Sequence, residues 1–292
     1  MLIMRVSPLF LCLGLVLVTE LVSAQSFYAI RRERSLILVG GLGTSTYFGE
    51  LANDGDYIDA KPTVSAGLQY YFTNRISVRS ELTWFQLSGD DAKADPESDR
   101  RDRNLSFNSD NFEFNAVGII QLGPHGQRFY QRPKLNVYGF AGIGLLYFNP
   151  KTEYQGEKVA LQPLQTEGVE YSRVVPVIPY GLGAKLMLSP FMNVSLEAGY
   201  RKVFTDYLDD VSTVHLGLGA FDDPLAEALS DRRPELGIPA VAAGTQRGNP
   251  DKKDGYMLLT VKVEYYLPGD IFGNSNKRLY KSKRKAYYKR RR

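Results

Sequence analysis

The sequence predicts an all-β fold: an eight-stranded antiparallel transmembrane β-barrel with long outer loops and a basic C-terminal tail on the periplasmic side. Three observations carry this. Eight segments between residues 35 and 266 alternate apolar with small or polar side chains, the period of a strand that shows a different environment to each face. The connections between them alternate short and long, as in outer-membrane barrels. Tyrosine and phenylalanine gather at the segment ends, where such barrels carry aromatic girdles.

The N-terminal residues 1–24 read as a secretory signal peptide. Arg5 supplies the positive start, residues 9–18 form the apolar core, and Val22-Ser23-Ala24 offers the small-residue cleavage site. That core is well short of the roughly 20 residues a membrane-spanning helix needs. Cys12 lies inside it and is the chain's one cysteine. A chain processed after Ala24 therefore has no disulfide, thiolate or cysteine–metal chemistry. Residues 25–267 form the barrel domain and 268–292 the tail.

Within the domain, strand one is expected over 35–48 and strand two over 63–72. The tight turn Thr73-Asn74-Arg75 leads to strand three, 76–87. Strand four covers 112–122, and a Gly- and Pro-containing link leads to strand five, 135–148. Strand six, 176–188, turns at Ser189-Pro190 into strand seven, 193–204. Strand eight covers 256–266. The links after strands one, three, five and seven are the longer ones, and the last spans about fifty residues. An even number of strands places both termini at the end with the short turns, the periplasmic end.

Alternation assigns the faces. Ile76, Val78, Leu82 and Trp84 oppose Ser77, Arg79, Glu81 and Thr83. Val194, Leu196, Ala198 and Tyr200 oppose Ser195, Glu197, Gly199 and Arg201. Met257, Leu259, Val261, Val263 and Tyr265 oppose Thr260, Lys262, Glu264 and Tyr266. Lys185 and Glu113 fall on the polar faces of strands six and four. A Lys or Arg facing hydrocarbon near the midplane costs about 2–4 kcal/mol, so the charged face must line the interior. Arg79, Lys185, Arg201 and Lys262 can pair there with Glu81, Glu113, Glu197 and Glu264. An eight-stranded barrel is just wide enough for side chains to fill it, which predicts a plug of ion pairs and not a water-filled pore. A soluble, lipocalin-like barrel would reverse the faces. The alternative within the membrane class is a small porin or ligand-binding barrel.

Catalytic and metal signals are lacking. The two histidines, His125 and His215, have no partner at metal-ligand spacing. No nucleophile–base pattern stands out. Gly40-Gly41-Leu42-Gly43 lacks the Lys-Ser/Thr of a phosphate loop and reads as small residues where barrel side chains crowd. The acidic groups Asp90, Asp91, Asp95, Glu97, Asp99 and Asp206, Asp209, Asp210 do not follow the calcium-loop pattern. The first group, with neighbouring Arg100, Arg101 and Arg103, reads as an ordinary solvated loop. No cofactor, no nucleic acid and no small-molecule substrate is expected.

Charge is unevenly distributed. The chain carries a net +4, yet ten lysines and arginines and no acid fall within 277–292, so the rest is acidic. The tail interleaves cations with aromatics: Lys281, Lys283, Arg284, Lys285, Tyr287, Tyr288, Lys289, Arg290, Arg291 and Arg292. Solvation, attraction to anionic headgroups and docking on an acidic protein surface all suit this composition. The tyrosines favour a protein surface on which to pack, alongside contact with outer-membrane lipid.

Several segments carry a resemblance. Thr46-Tyr47-Phe48-Gly49-Glu50-Leu51, Leu87-Ser88-Gly89-Asp90-Asp91 and Arg247-Gly248-Asn249-Pro250 are three of them. The most specific is Gly199-Tyr200-Arg201-Lys202-Val203-Phe204-Thr205-Asp206-Tyr207-Leu208-Asp209-Asp210-Val211-Ser212. The chain resembles the PorG-like outer-membrane barrels of the type IX protein secretion and gliding machinery. That resemblance implies a non-enzymatic envelope component that associates with a periplasmic ring built from a lipoprotein and its partner protein. It marks Asp206, Tyr207, Leu208, Asp209 and Asp210 as a strand-to-loop junction. Tyr207 and Leu208 are expected to pack at the rim there, and Asp209 and Asp210 to cap backbone N–H groups.

Overall fold

The computed structural model describes residues 34–53, 60–95, 97–124, 129–250 and 253–267. Residues 1–24, read above as a signal peptide, His125 and the tail lie outside the described residues. Ten strands occur among them: β1 (Leu36–Phe48), β2 (Lys61–Tyr71), β3 (Ile76–Asp90), β4 (Ser106–Gln121), β5 (Leu135–Tyr147), β6 (Pro150–Tyr154), β7 (Glu157–Ala160), β8 (Val174–Ser189), β9 (Met192–Val203) and β10 (Gly255–Tyr266).

Eight of them close a barrel. β1 pairs with β2, β2 with β3, β3 with β4, β4 with β5, β5 with β8, β8 with β9, β9 with β10, and β10 returns to β1, all antiparallel. Closure leaves the eight barrel strands without an open edge, which a bilayer demands because it offers no water to bond one. The β6–β7 hairpin stands on top of β4, joined to it at Asn108 and Ser109. Sequence patterning did not separate this hairpin from the loop after strand five, because five and four residues are too few for a clear period. β3 and β4 also run further than expected, to Asp90 and from Ser106. Their pairing continues to Asp90↔Ser106, above the hydrophobic band.

One ladder is interrupted. β5 and β8 pair at Ala141↔Tyr180 and again at Gly144↔Val177, with no pairs between. Pro179 sits in the gap and has no N–H to donate. β8 keeps its other partner, with Pro179 opposite Arg201 of β9.

The two faces differ in chemistry. Outward residues include Leu82, Leu196 and Val261, each more than half exposed, with Leu42, Phe114, Ile143 and Leu182. Aromatic pairs mark both margins: Tyr70 against Phe72 near the short turns, and Phe48 and Tyr180 against Tyr200 near the long loops. Among the described residues no helix is long and apolar enough to cross a membrane. The wall is made by strands.

Candidate functional site

The inward face holds all eight charged residues assigned from the alternation, each between 0 and 3 % exposed. They form three tiers. In the middle, Arg79 donates to both oxygens of Glu197 at 2.8 and 2.9 Å and lies 3.1 Å from Glu81. Lys262 donates to Glu81 at 2.7 Å and to Glu197 at 2.8 Å. Two cations and two carboxylates therefore close a four-membered ring, and the Tyr138 hydroxyl adds a bond to Glu197 at 3.0 Å. Towards the short turns, Lys185 pairs with Glu264 at 2.7 Å, and Asn193 donates to the same carboxylate at 2.8 Å. Towards the long loops, Arg201 lies 3.4 Å from Glu113, which also accepts from Tyr256 and Asn115 at 2.6 Å each.

Glycine makes room for this filling. A Cβ on Gly183 would lie 2.3 Å from the Tyr138 ring, and one on Gly41 would lie 2.6 Å from Ser65 Oγ and 2.9 Å from Lys262 Cγ. Gly41 belongs to the run read as small residues in a crowded interior, and here the crowding has named partners.

Both ends of the lumen are also packed. At the short-turn end, Phe129, Phe191 and Tyr266 cluster with Ile37 and Val39. Arg132 stacks over Tyr266 at 4.4 Å and bonds Asn193 and the carbonyls of Phe129, Pro190 and Ser189 at 2.9 Å each. Its link looked like plain connection, and no local pattern distinguishes an arginine that folds back. At the long-loop end a larger apolar cluster fills the mouth, including Tyr47, Phe85, Phe107, Phe148, Tyr171, Leu208, Val211 and Tyr256.

Above that cluster the rim is polar and buried. Asp91, assigned to a solvated loop, is fully buried. It holds Arg103 at 2.7 and 2.9 Å and Arg100 at 3.1 Å, and accepts the Leu105 N–H. The loop reading fails there because β3 and β4 continue to this height and enclose it. Arg247 bonds Glu167 at 3.0 Å and the Asp210 carbonyl at 2.7 Å. Gly248 lies so close to Ser212 that a Cβ would approach its backbone to 2.8 Å.

The junction 206–210 behaves as follows. Leu208 is buried in the mouth cluster, and Tyr207 stacks on Tyr171 with centroids 4.8 Å apart. Asp209 caps the Val211 N–H at 3.0 Å and accepts the Tyr47 hydroxyl at 2.7 Å. Asp210 accepts hydroxyls from Thr166 and Tyr171 at 2.5 and 2.6 Å in place of the expected backbone N–H. Its φ of 69° places it in the left-handed region, which Asp tolerates better than most residues. Asp206 accepts the Ser212 hydroxyl at 2.7 Å. Asp254, singled out by no sequence pattern, accepts Tyr47 at 2.7 Å and the Leu208 N–H at 3.0 Å. Burial pushes the Asp206 and Asp210 carboxyls up to about 6 and those of Asp209 and Asp254 well above the usual range. The four segments that carry the family resemblance, distant in sequence, thus meet at one rim.

The tail residues Lys281, Lys283, Arg284, Lys285, Tyr287, Tyr288, Lys289, Arg290, Arg291 and Arg292 lie outside the described residues. They form no part of this geometry.

Solved structures and one family model are similar to this chain. The chain is similar to Neisserial surface protein A at 8 % identity, with a TM-score of 0.41, covering 80 % of this chain and 97 % of that one. It is similar to the attachment invasion locus protein Ail of Yersinia pestis at 11 % identity and TM-score 0.39, covering 80 % and 99 %. The outer membrane enzyme PagL matches at 13 % identity and TM-score 0.32, covering 79 % and 99 %. Comparison with curated proteins found no match. The model of one family, described as the outer membrane protein beta-barrel domain, matches residues 10–220, and the chain belongs to that family.

Proposed function

We propose that this outer-membrane barrel is a non-enzymatic, non-conducting anchor for a periplasmic ring of a type IX protein secretion or gliding machine. The observation that carries the reading is the lumen. Three tiers of ion pairs, with packed aromatics at both mouths, leave the interior occupied by the protein's own side chains. A cylinder filled in this way supplies a fixed position in the membrane, and its exposed ends are what remain for partners. The eight lumen charges are committed to one another, which leaves none to serve as an unpaired acid or base.

The described chain enters at Leu36 and leaves at Tyr266, both at the short-turn end, where Ile37 pairs with Tyr266. With the long loops outward, both termini lie in the periplasm and the cationic tail hangs below the membrane. There it meets the ring lipoprotein and its partner protein. This partnership rests on the type IX resemblance together with the tail's composition.

Deleting residues 277–292 tests the docking. The truncated barrel is expected to insert and to keep its heat-modifiable gel mobility, while its co-purification with the ring falls to background. Recovery of the ring at full-length yield would refute the docking role.

A further inference from the structure

The loop-end rim holds carboxylates that the lumen network does not use. One oxygen from each of Glu50, Asp206 and Asp254 lies within 4.8 Å of the other two. They arrive from three places: the residue pair after β1, the junction after β9 and the residue before β10. Asp206 and Asp254 are 3 % and 1 % exposed.

Two side-chain oxygens of these residues are buried and accept no hydrogen bond among the described residues: Asp206 Oδ1 and Glu50 Oε2. Their companions are occupied, Asp206 Oδ2 by the Ser212 hydroxyl and Glu50 Oε1 by the Asn249 N–H at 3.2 Å. Asp209 stands beside the group, tied to Asp254 through the shared Tyr47 hydroxyl.

Among the described residues the nearby arginines are held by other partners, while Lys253 attracts Asp206 without forming an ion pair with it. Arg103 is spent on Asp91 and the Arg247 carbonyl, Arg247 on Glu167 and the Asp210 carbonyl, and Lys253 bonds the Pro250 carbonyl at 3.3 Å. Among the described residues no lysine or arginine forms an ion pair with Glu50, Asp206, Asp209 or Asp254. Buried carboxylates without a counter-charge are costly, and a protein resolves this with protons or with a metal ion.

We propose that Glu50, Asp206 and Asp254 form a divalent cation site of the Ca²⁺ class, which ties the end of β1, the 206–212 junction and the start of β10 into one rim. The donor set is all oxygen, the set that hard cations take. Oxygens within 4.8 Å of one another fit on a Ca²⁺ coordination sphere of about 2.4 Å radius. Asp206 Oδ1 and Glu50 Oε2 have lone pairs that no described group uses. The site also gives the carboxylates of the junction a role beyond capping, with Asp209 holding Tyr47 against the ligand Asp254.

The full-length barrel, folded in detergent and stripped with chelator, is titrated with CaCl₂ and separately with Tb³⁺, whose luminescence is sensitised by a nearby tyrosine such as Tyr47. Calcium is expected to raise the thermal midpoint in a concentration-dependent way by mass action, with reversal by EGTA. Tb³⁺ emission is expected to be displaced by Ca²⁺. Asp206→Asn should weaken binding by roughly tenfold or more, since affinity follows ligand charge. Asp95→Asn, in the exposed acidic loop, should bind as the parent does. Should Asp206→Asn fail to insert, Glu50→Gln carries the same expectation from the less buried edge. No calcium-dependent midpoint shift and no displaceable Tb³⁺ emission in the parent would overturn the proposal. So would an Asp206→Asn or Glu50→Gln barrel that binds as tightly as the parent.

Discussion

Replacing Glu197 with glutamine is expected to destabilise the barrel by about 3–5 kcal/mol, the cost of leaving buried charge without its partner. Glu197 accepts from Arg79, Lys262 and Tyr138 at the centre of the lumen. With Gln there, two buried cations share Glu81 alone. The loss is read as a lower denaturant midpoint at unchanged slope for unfolding from lipid vesicles. Added salt should change it little, because a Debye length of about 10 Å at 0.1 M screens solvent-exposed pairs far more than buried ones. Removing a cation as well, in Glu197→Gln with Lys262→Met, should recover much of the loss, since Arg79 and Glu81 then remain as a balanced pair 3.1 Å apart. A double variant that is worse by the sum of the two single losses would show that the four charges act independently.

The outer wall gives the second large effect. Val261→Arg is expected to cost about 2–4 kcal/mol in a bilayer, the range for a cation facing hydrocarbon near the midplane. Val261 is 51 % exposed and neighbours Leu42 and Leu196 on the same outward surface. One residue further on, Lys262 is 1 % exposed among carboxylates. The same charge is thus costly at one position and required at the next. Equal stability of Val261→Arg and parent in vesicles would place this face out of contact with lipid.

Much of this was legible before any coordinates. Period two is a property of the strand itself, so Arg79 and Leu82 could be sent to opposite faces without knowing their neighbours. Hydrocarbon then decides which face is inside. The pairing pattern was not legible. That Lys262 bridges Glu81 and Glu197 depends on barrel curvature and on the space left by Gly41, which no local pattern encodes. The rim was the hardest part. Asp91 looks solvated in sequence because its neighbours are charged, and it is buried because β3 and β4 rise past the membrane band. Asp254 and Tyr47 meet across 207 positions of sequence, in a contact made by closing β10 on β1. Such long-range convergence is visible in sequence only as a run of unusual specificity, which the Asp206–Asp210 junction did show.

Planar-bilayer recording on the purified full-length barrel tests the sealed lumen most directly. With three tiers of ion pairs across the interior, insertion is predicted to leave the bilayer at its baseline current over the usual range of voltage. Steady, ion-carrying open states from the inserted parent protein would contradict the account and favour the small-porin reading instead.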